Sequence, residues 1–158
     1  MAGHLPLWNP YINFGLPQYG DMSSGYWNPV TWLVAAITGY NAYSFTVELL
    51  IYLLIAGFGM YKLCRFYGIS KEISIIAGVS YMCCGYMTGH LQHFNWISGA
   101  AFLPWSLWSY HRLKDQLSLK HILLAALCLY MLAASAHPGI SIGTIYLILA
   151  YSIFIYFA

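Results

Sequence analysis

The six lysines and arginines of this chain fall in two short stretches, and that distribution most limits what it can fold into. Lys62, Arg65 and Lys71 form the first; Arg112, Lys114 and Lys120 form the second. The only acidic residues are Asp21, Glu48, Glu72 and Asp115, so 158 residues carry 6 basic and 4 acidic side chains. A soluble domain has about 25% charged residues. So few charges cannot cover a water-facing surface, and the chain reads as an integral membrane protein whose partner is the lipid bilayer. A net charge of +2 gives no electrostatic footprint for nucleic acid.

The intervals free of Lys and Arg predict an all-α polytopic bundle of about five spans. They run from Ala42 to Tyr61, Ile73 to Thr88, Trp96 to Tyr110, His121 to Ser135 and Ile140 to Ala158. Pro104 predicts a kink in the third. Val30 to Thr38 is too short to cross a bilayer, which takes about 20 residues, and fits an interfacial or re-entrant helix. Cytoplasmic loops carry the excess of Lys and Arg. The two basic turns are therefore assigned to the cytoplasm, and the opening loop, Gly89–Asn95 and Ala136–Gly139 to the opposite face. No repeat or low-complexity segment is visible, so 1–158 reads as one membrane domain, with an extracytoplasmic loop and interfacial helix over 1–41 and transmembrane helices over 42–158. The chain starts in a loop and stops within an apolar run, and is expected to be a fragment of a longer polytopic protein.

Residues 1–40 hold four of the six prolines, at 6, 10, 17 and 29, and no Lys or Arg. Proline removes a backbone donor and disfavours helix at the preceding residue, so no helix passes through this segment. Its Trp, Tyr and Asn side chains suit a structured loop. They also suit sugars, since aromatic faces stack on sugar rings and amides bond hydroxyls; an interfacial aromatic belt is the plain alternative.

The uncharged face has a narrow inventory for chemistry. Asp21 is a candidate general base or metal contact, and equally a turn residue after Gly20. His90 and His93 stand three apart, a spacing that puts both on one helical face and suits a phosphate or metal contact; the alternative is a pair of interfacial histidines ending a helix. His137, before Pro138, is a third candidate. Asn9, Tyr11, Gln18 and Asn28 complete the substrate-binding candidates, with Asn9, Tyr11 and Asn28 suited above all to shaping the loop. Glu48, a carboxyl inside a span, is either functional or a protonated or interhelically bonded group near the interface. The cysteines, Cys64, Cys83, Cys84 and Cys128, lack metal-site spacing and read as small packing residues.

The string Gly3-His4-Leu5-Pro6-Leu7-Trp8-Asn9-Pro10-Tyr11-Ile12-Asn13-Phe14-Gly15-Leu16-Pro17 resembles the first extracytoplasmic loop of the bacterial YfhO-like membrane proteins. Tyr26-Trp27-Asn28-Pro29, Gly85, His90, Leu103-Pro104 and His137-Pro138 are similar to later segments of that family, in the same order. The family is similar to the GT-C glycosyltransferases. The resemblance implies a GT-C-like fold in the bacterial cytoplasmic membrane. It implies an enzyme that moves a sugar from undecaprenyl phosphate, a polyprenyl-phosphate donor, to a cell-envelope glycopolymer such as a teichoic acid. It also implies an acidic base in the first outer loop, phosphate contacts from basic or His residues on outer loops, and a divalent metal as candidate cofactor. The acidic residue expected near the end of the family's first transmembrane helix has no counterpart here, so Asp21 matches a later position and the fragment is expected to be inactive alone. Two other classes fit the inventory: a transporter or flippase of lipid-linked sugars, or a bis-histidine haem or metal protein. A non-catalytic membrane scaffold is the remaining alternative.

Overall fold

A computed structural model of the chain describes residues 7–11, 13–17, 20, 25–135 and 137–157. The fold is predominantly helical. A two-stranded hairpin, β1 (Trp8–Asn9) and β2 (Leu16–Pro17), precedes seven helices: α1 (Pro29–Thr38), α2 (Ala42–Phe66), α3 (Lys71–Met82), α4 (Gly85–Gly89), α5 (Phe94–Asp115), α6 (Leu119–Ser135) and α7 (Pro138–Phe157). Asn28 caps α1 through its side chain, with Pro29 at the first helical position, where its missing N–H costs nothing. Gly39, at φ 68°, ends α1, and a reciprocal Asn41–Ser44 capping box starts α2.

Two helices are long and apolar enough to cross a membrane, α2 with 25 residues and α7 with 20. The expected span from Ile73 to Thr88 is not one helix. α3 has 12 residues, about 18 Å at 1.5 Å per residue, and Cys84 turns extended (φ −66°, ψ 159°) before the short α4. The basic turns are also shorter than the charge pattern suggests. α2 continues through Lys62 and Arg65, and α5 through Arg112 and Lys114. Cations in a last turn face the negative end of the helix dipole, so these residues extend the helices rather than end them.

The core lies where α2, α5 and α6 meet, around Tyr52, Ala56, Ile97, Ala101 and Leu132. α3 packs on α2, and α7 on α5. The outward faces are apolar: Leu50, Leu54, Ile76, Leu123, Ile145 and Phe154 are all exposed. Glycines set the α2–α3 approach, since a Cβ on Gly78 would stand 2.6 Å from the Gly57 carbonyl oxygen. Trp105 of α5 donates its indole N–H to the Ile55 carbonyl of α2 at 2.9 Å. The cysteines are free and partner no disulfide.

Pro104 sits inside α5. Having no N–H, it cannot serve the carbonyl four residues earlier, that of Ala100. The Tyr81 hydroxyl of α3 donates to that carbonyl at 2.9 Å. A backbone acceptor freed inside an apolar bundle is thus satisfied from a neighbouring helix. Tyr81→Phe is expected to cost about 1–2 kcal/mol, read as a lower thermal midpoint in detergent. An unchanged midpoint would show that Ala100 has another donor.

Candidate functional site

The two ends of the bundle differ in chemistry. At the basic end, His111 is buried in aromatic rings, with Phe66 stacked at 5.4 Å and Tyr151 edge-on at 5.1 Å. Its Nε2 is 2.5 Å from the Tyr67 hydroxyl. Burial, then Tyr151, pushes the Tyr67 hydroxyl up to about 12, so Tyr67 stays protonated across the physiological range. Arg112 lies over both Phe66 and Trp108, at 5.6 and 5.8 Å from their ring centres.

The opposite end gathers the three histidines singled out in the sequence. His90 and His93 share no helix. α4 ends at Gly89 and α5 begins at Phe94, and the two residues form the intervening turn, closed by the His93 N–H donating to the His90 carbonyl at 2.7 Å. The turn places their rings 6.3 Å apart. Trp96 lies between them, stacked on His90 at 5.1 Å and on His93 at 4.9 Å. His137, from the α6–α7 connection, meets the same indole edge-on at 5.7 Å, and its N–H reaches the Asn95 carbonyl at 3.3 Å. The Gly139 N–H donates to the His137 Nδ1 at 3.2 Å, and His90 Nδ1 pairs with the Tyr86 carbonyl at 2.9 Å. Three imidazoles therefore surround one indole, each held at a defined angle.

An apolar cavity of about 370 Å³ lies nearby, lined by Tyr81, Cys84, Tyr86, Ala100, Ile140 and Leu147 among others but by none of the three histidines. Tyr86 belongs to both, since its ring also stacks on His90 at 4.7 Å. Ile140 ties the cavity to His137, donating its N–H to the His137 carbonyl at 2.9 Å.

A second polar group at the same end centres on Glu48, which is fully buried. The Thr31 hydroxyl of α1 donates to its Oε1, and the Tyr40 hydroxyl donates to its Oε2 at 3.3 Å. Burial and the neighbouring carboxylate push the Tyr40 hydroxyl up to about 12, so Tyr40 remains a donor. Glu48 thus pins α1 and the α1–α2 connection onto α2.

Asn28, a substrate-contact candidate, is fully buried: its amide donates to the Tyr52 hydroxyl and its oxygen accepts from the Val30 N–H at 3.0 Å. It shapes the loop. Asn9 accepts from the Tyr11 N–H at 3.0 Å within the hairpin, and Tyr11 points into the open. Asp21 and Gln18 lie outside the described residues. Trp96 and Tyr86 were not singled out in the sequence, where both look like ordinary aromatics of an apolar run. The spacing His90, His93, Trp96 at steps of three was the available signal. Comparison with family models, with curated proteins and with solved structures found no match to this chain.

Proposed function

We propose that this chain forms the outer half-site of a YfhO-like, GT-C-type glycosyltransferase in the bacterial cytoplasmic membrane. In this reading five segments cross the bilayer, α3 and α4 together making one broken segment, and the end bearing residues 1–41 faces outward. The enzyme takes a sugar from a polyprenyl-phosphate donor and passes it to a cell-envelope glycopolymer. The supporting observation is the convergence of His90, His93 and His137 on Trp96, with an apolar cavity joined to the cluster through Tyr86 and Ile140. A ligand with an anionic head and a long apolar tail matches both halves: imidazole N–H groups donate to phosphate oxygens, and the cavity takes the first units of the tail.

The transfer is a displacement at the anomeric carbon. The acceptor hydroxyl attacks, the bond to the phosphate oxygen breaks, and the lipid phosphate leaves with the electron pair. Asp21 takes the acceptor proton, or contacts the acceptor directly. The described residues contain no group of three His, Cys, Asp or Glu that could hold a metal ion.

The test is transfer of label from an undecaprenyl-phosphate sugar to envelope polymer in membranes from cells producing the protein. His93→Ala and His137→Ala are each expected to lower transfer about tenfold at equal protein level, the worth of one charge-assisted contact. Asp21→Asn is expected to lower it further. Full transfer by all three variants would reject the assignment. Label reaching the outer leaflet without entering polymer would favour a flippase.

A further inference from the structure

The β1–β2 hairpin presents exposed large apolar side chains. Phe14 is 108% exposed, Tyr11 94% and Trp8 58%, with Leu7 and Leu16 also exposed. Asn13 and Phe14 both hold positive φ, 50° and 63°. That region costs a residue with a side chain on the order of 1–3 kcal/mol. The hairpin is nevertheless braced. The Trp8 indole lies so close over Gly15 that a Cβ there would collide with it, and the Asn9 side chain holds the Tyr11 N–H. The braced hairpin holds the Tyr11 and Phe14 rings outward.

Chemistry around the tip identifies what covers those rings. Residues 1–47 contain one charged side chain, Asp21. A sugar platform sets free amides and carboxylates around its rings; here the Asn9 oxygen is engaged, and Asn13 is the one further amide among the described tip residues. Tyr26 and Trp27 are tied to helices at the end of the bundle where α2 begins. The Trp32 indole donates to the Tyr26 carbonyl at 2.6 Å, and the Tyr130 hydroxyl of α6 to the Trp27 carbonyl at 2.7 Å. At that level Trp32, Ile37, Tyr40 and Tyr43 are all exposed. Amphipathic rings at the end of a membrane-crossing helix sit at headgroup depth, and Tyr11 and Phe14 share that chemistry.

We infer that the hairpin tip is a membrane anchor: Tyr11 and Phe14 insert among the headgroups and upper acyl chains of the leaflet entered by α2. The partner is phospholipid. The inference rests on α2 crossing the membrane and is independent of the transfer chemistry.

The test places the photocrosslinker benzoylphenylalanine at Phe14 or, for comparison, at the exposed Phe58 of α2. The full chain is reconstituted in phosphatidylethanolamine–phosphatidylglycerol vesicles, irradiated and analysed by mass spectrometry, with purified envelope glycopolymer added in a parallel sample. Phospholipid adducts at position 14, at a yield comparable to position 58, are expected, unaltered by the polymer. Adducts at 58 with none at 14 would overturn the anchor while leaving α2 in the membrane. Polymer adducts at 14 would overturn it in favour of a glycan surface. Absence of lipid adducts at both positions would remove the membrane crossing and the anchor with it. Transfer activity enters none of these readings.

Discussion

Gly78→Leu is expected to detach α3 from α2 and to lower the thermal midpoint more than replacement of its partner Gly57. A Cβ at Gly78 would come within 2.6 Å of the Gly57 carbonyl oxygen and 3.4 Å of its carbon. Both belong to the backbone of a continuous helix, so neither can rotate away. Even Gly78→Ala must push the helices apart, at about 1–3 kcal/mol for an overpacked contact, and leucine adds three more carbons to the same gap. The reciprocal change should be milder. A Cβ at Gly57 meets the Met82 sulfur at 3.0 Å and the Gly78 carbonyl at 3.1 Å, and methionine can swing aside. Gly143 has nothing within 4 Å of an added Cβ, so Gly143→Ala should be neutral or slightly stabilising in the middle of α7. Thermal unfolding of the four variants in one detergent gives the ranking. Equal midpoints for Gly78→Leu and Gly143→Ala would mean that the helices do not approach this closely.

That close approach was legible in outline. Gly78, Ser80, Cys83, Cys84 and Gly85 are small residues of the kind that let helices touch, but nothing in the sequence says which partner they touch. The helices themselves were readable because apolar runs free of Lys and Arg leave few alternatives. Their ends were not always so. Lys62, Arg65, Arg112 and Lys114 look like loop residues if charge alone is weighed, yet a basic last turn suits the helix dipole. The break at Cys83–Cys84 has no proline or charge to announce it, and the apolar pattern runs on across it. The site was legible to the level of one bundle end: the two turns that carry His90, His93 and His137 fall on the same side once the basic turns are placed on the other. That Trp96 would gather all three rings depends on the turn between α4 and α5, whose geometry no spacing rule contains. Glu48 was visible as an unusual carboxyl. Its partners, 17 and 8 residues away at Thr31 and Tyr40, come from the fold of α1 back onto α2.

Glu48→Ala is expected to release α1. The carboxyl is fully buried and accepts from two hydroxyls on two different segments. Removing it leaves a cavity between α1 and α2 and strips both hydroxyls of their acceptor, together costing about 3 kcal/mol. α1 buries only Val34 fully among its own side chains, and its further ties include the Asn28–Tyr52 and Thr38–Ser44 hydrogen bonds. Proteolysis in the connection from Gly39 to Asn41 should rise together with the fall in thermal midpoint. Glu48→Gln separates the two contributions. The amide keeps the volume and one acceptor oxygen, and the hydroxyl facing its NH₂ can turn to accept, so a cost of about 1 kcal/mol is expected. If the Gln variant loses as much as the Ala variant, the negative charge rather than the hydrogen bonding holds α1. A carboxylate kept charged there without a described cation beside it would then mark Glu48 as a group retained for chemistry, since an apolar residue of the same size would hold the helix at lower cost.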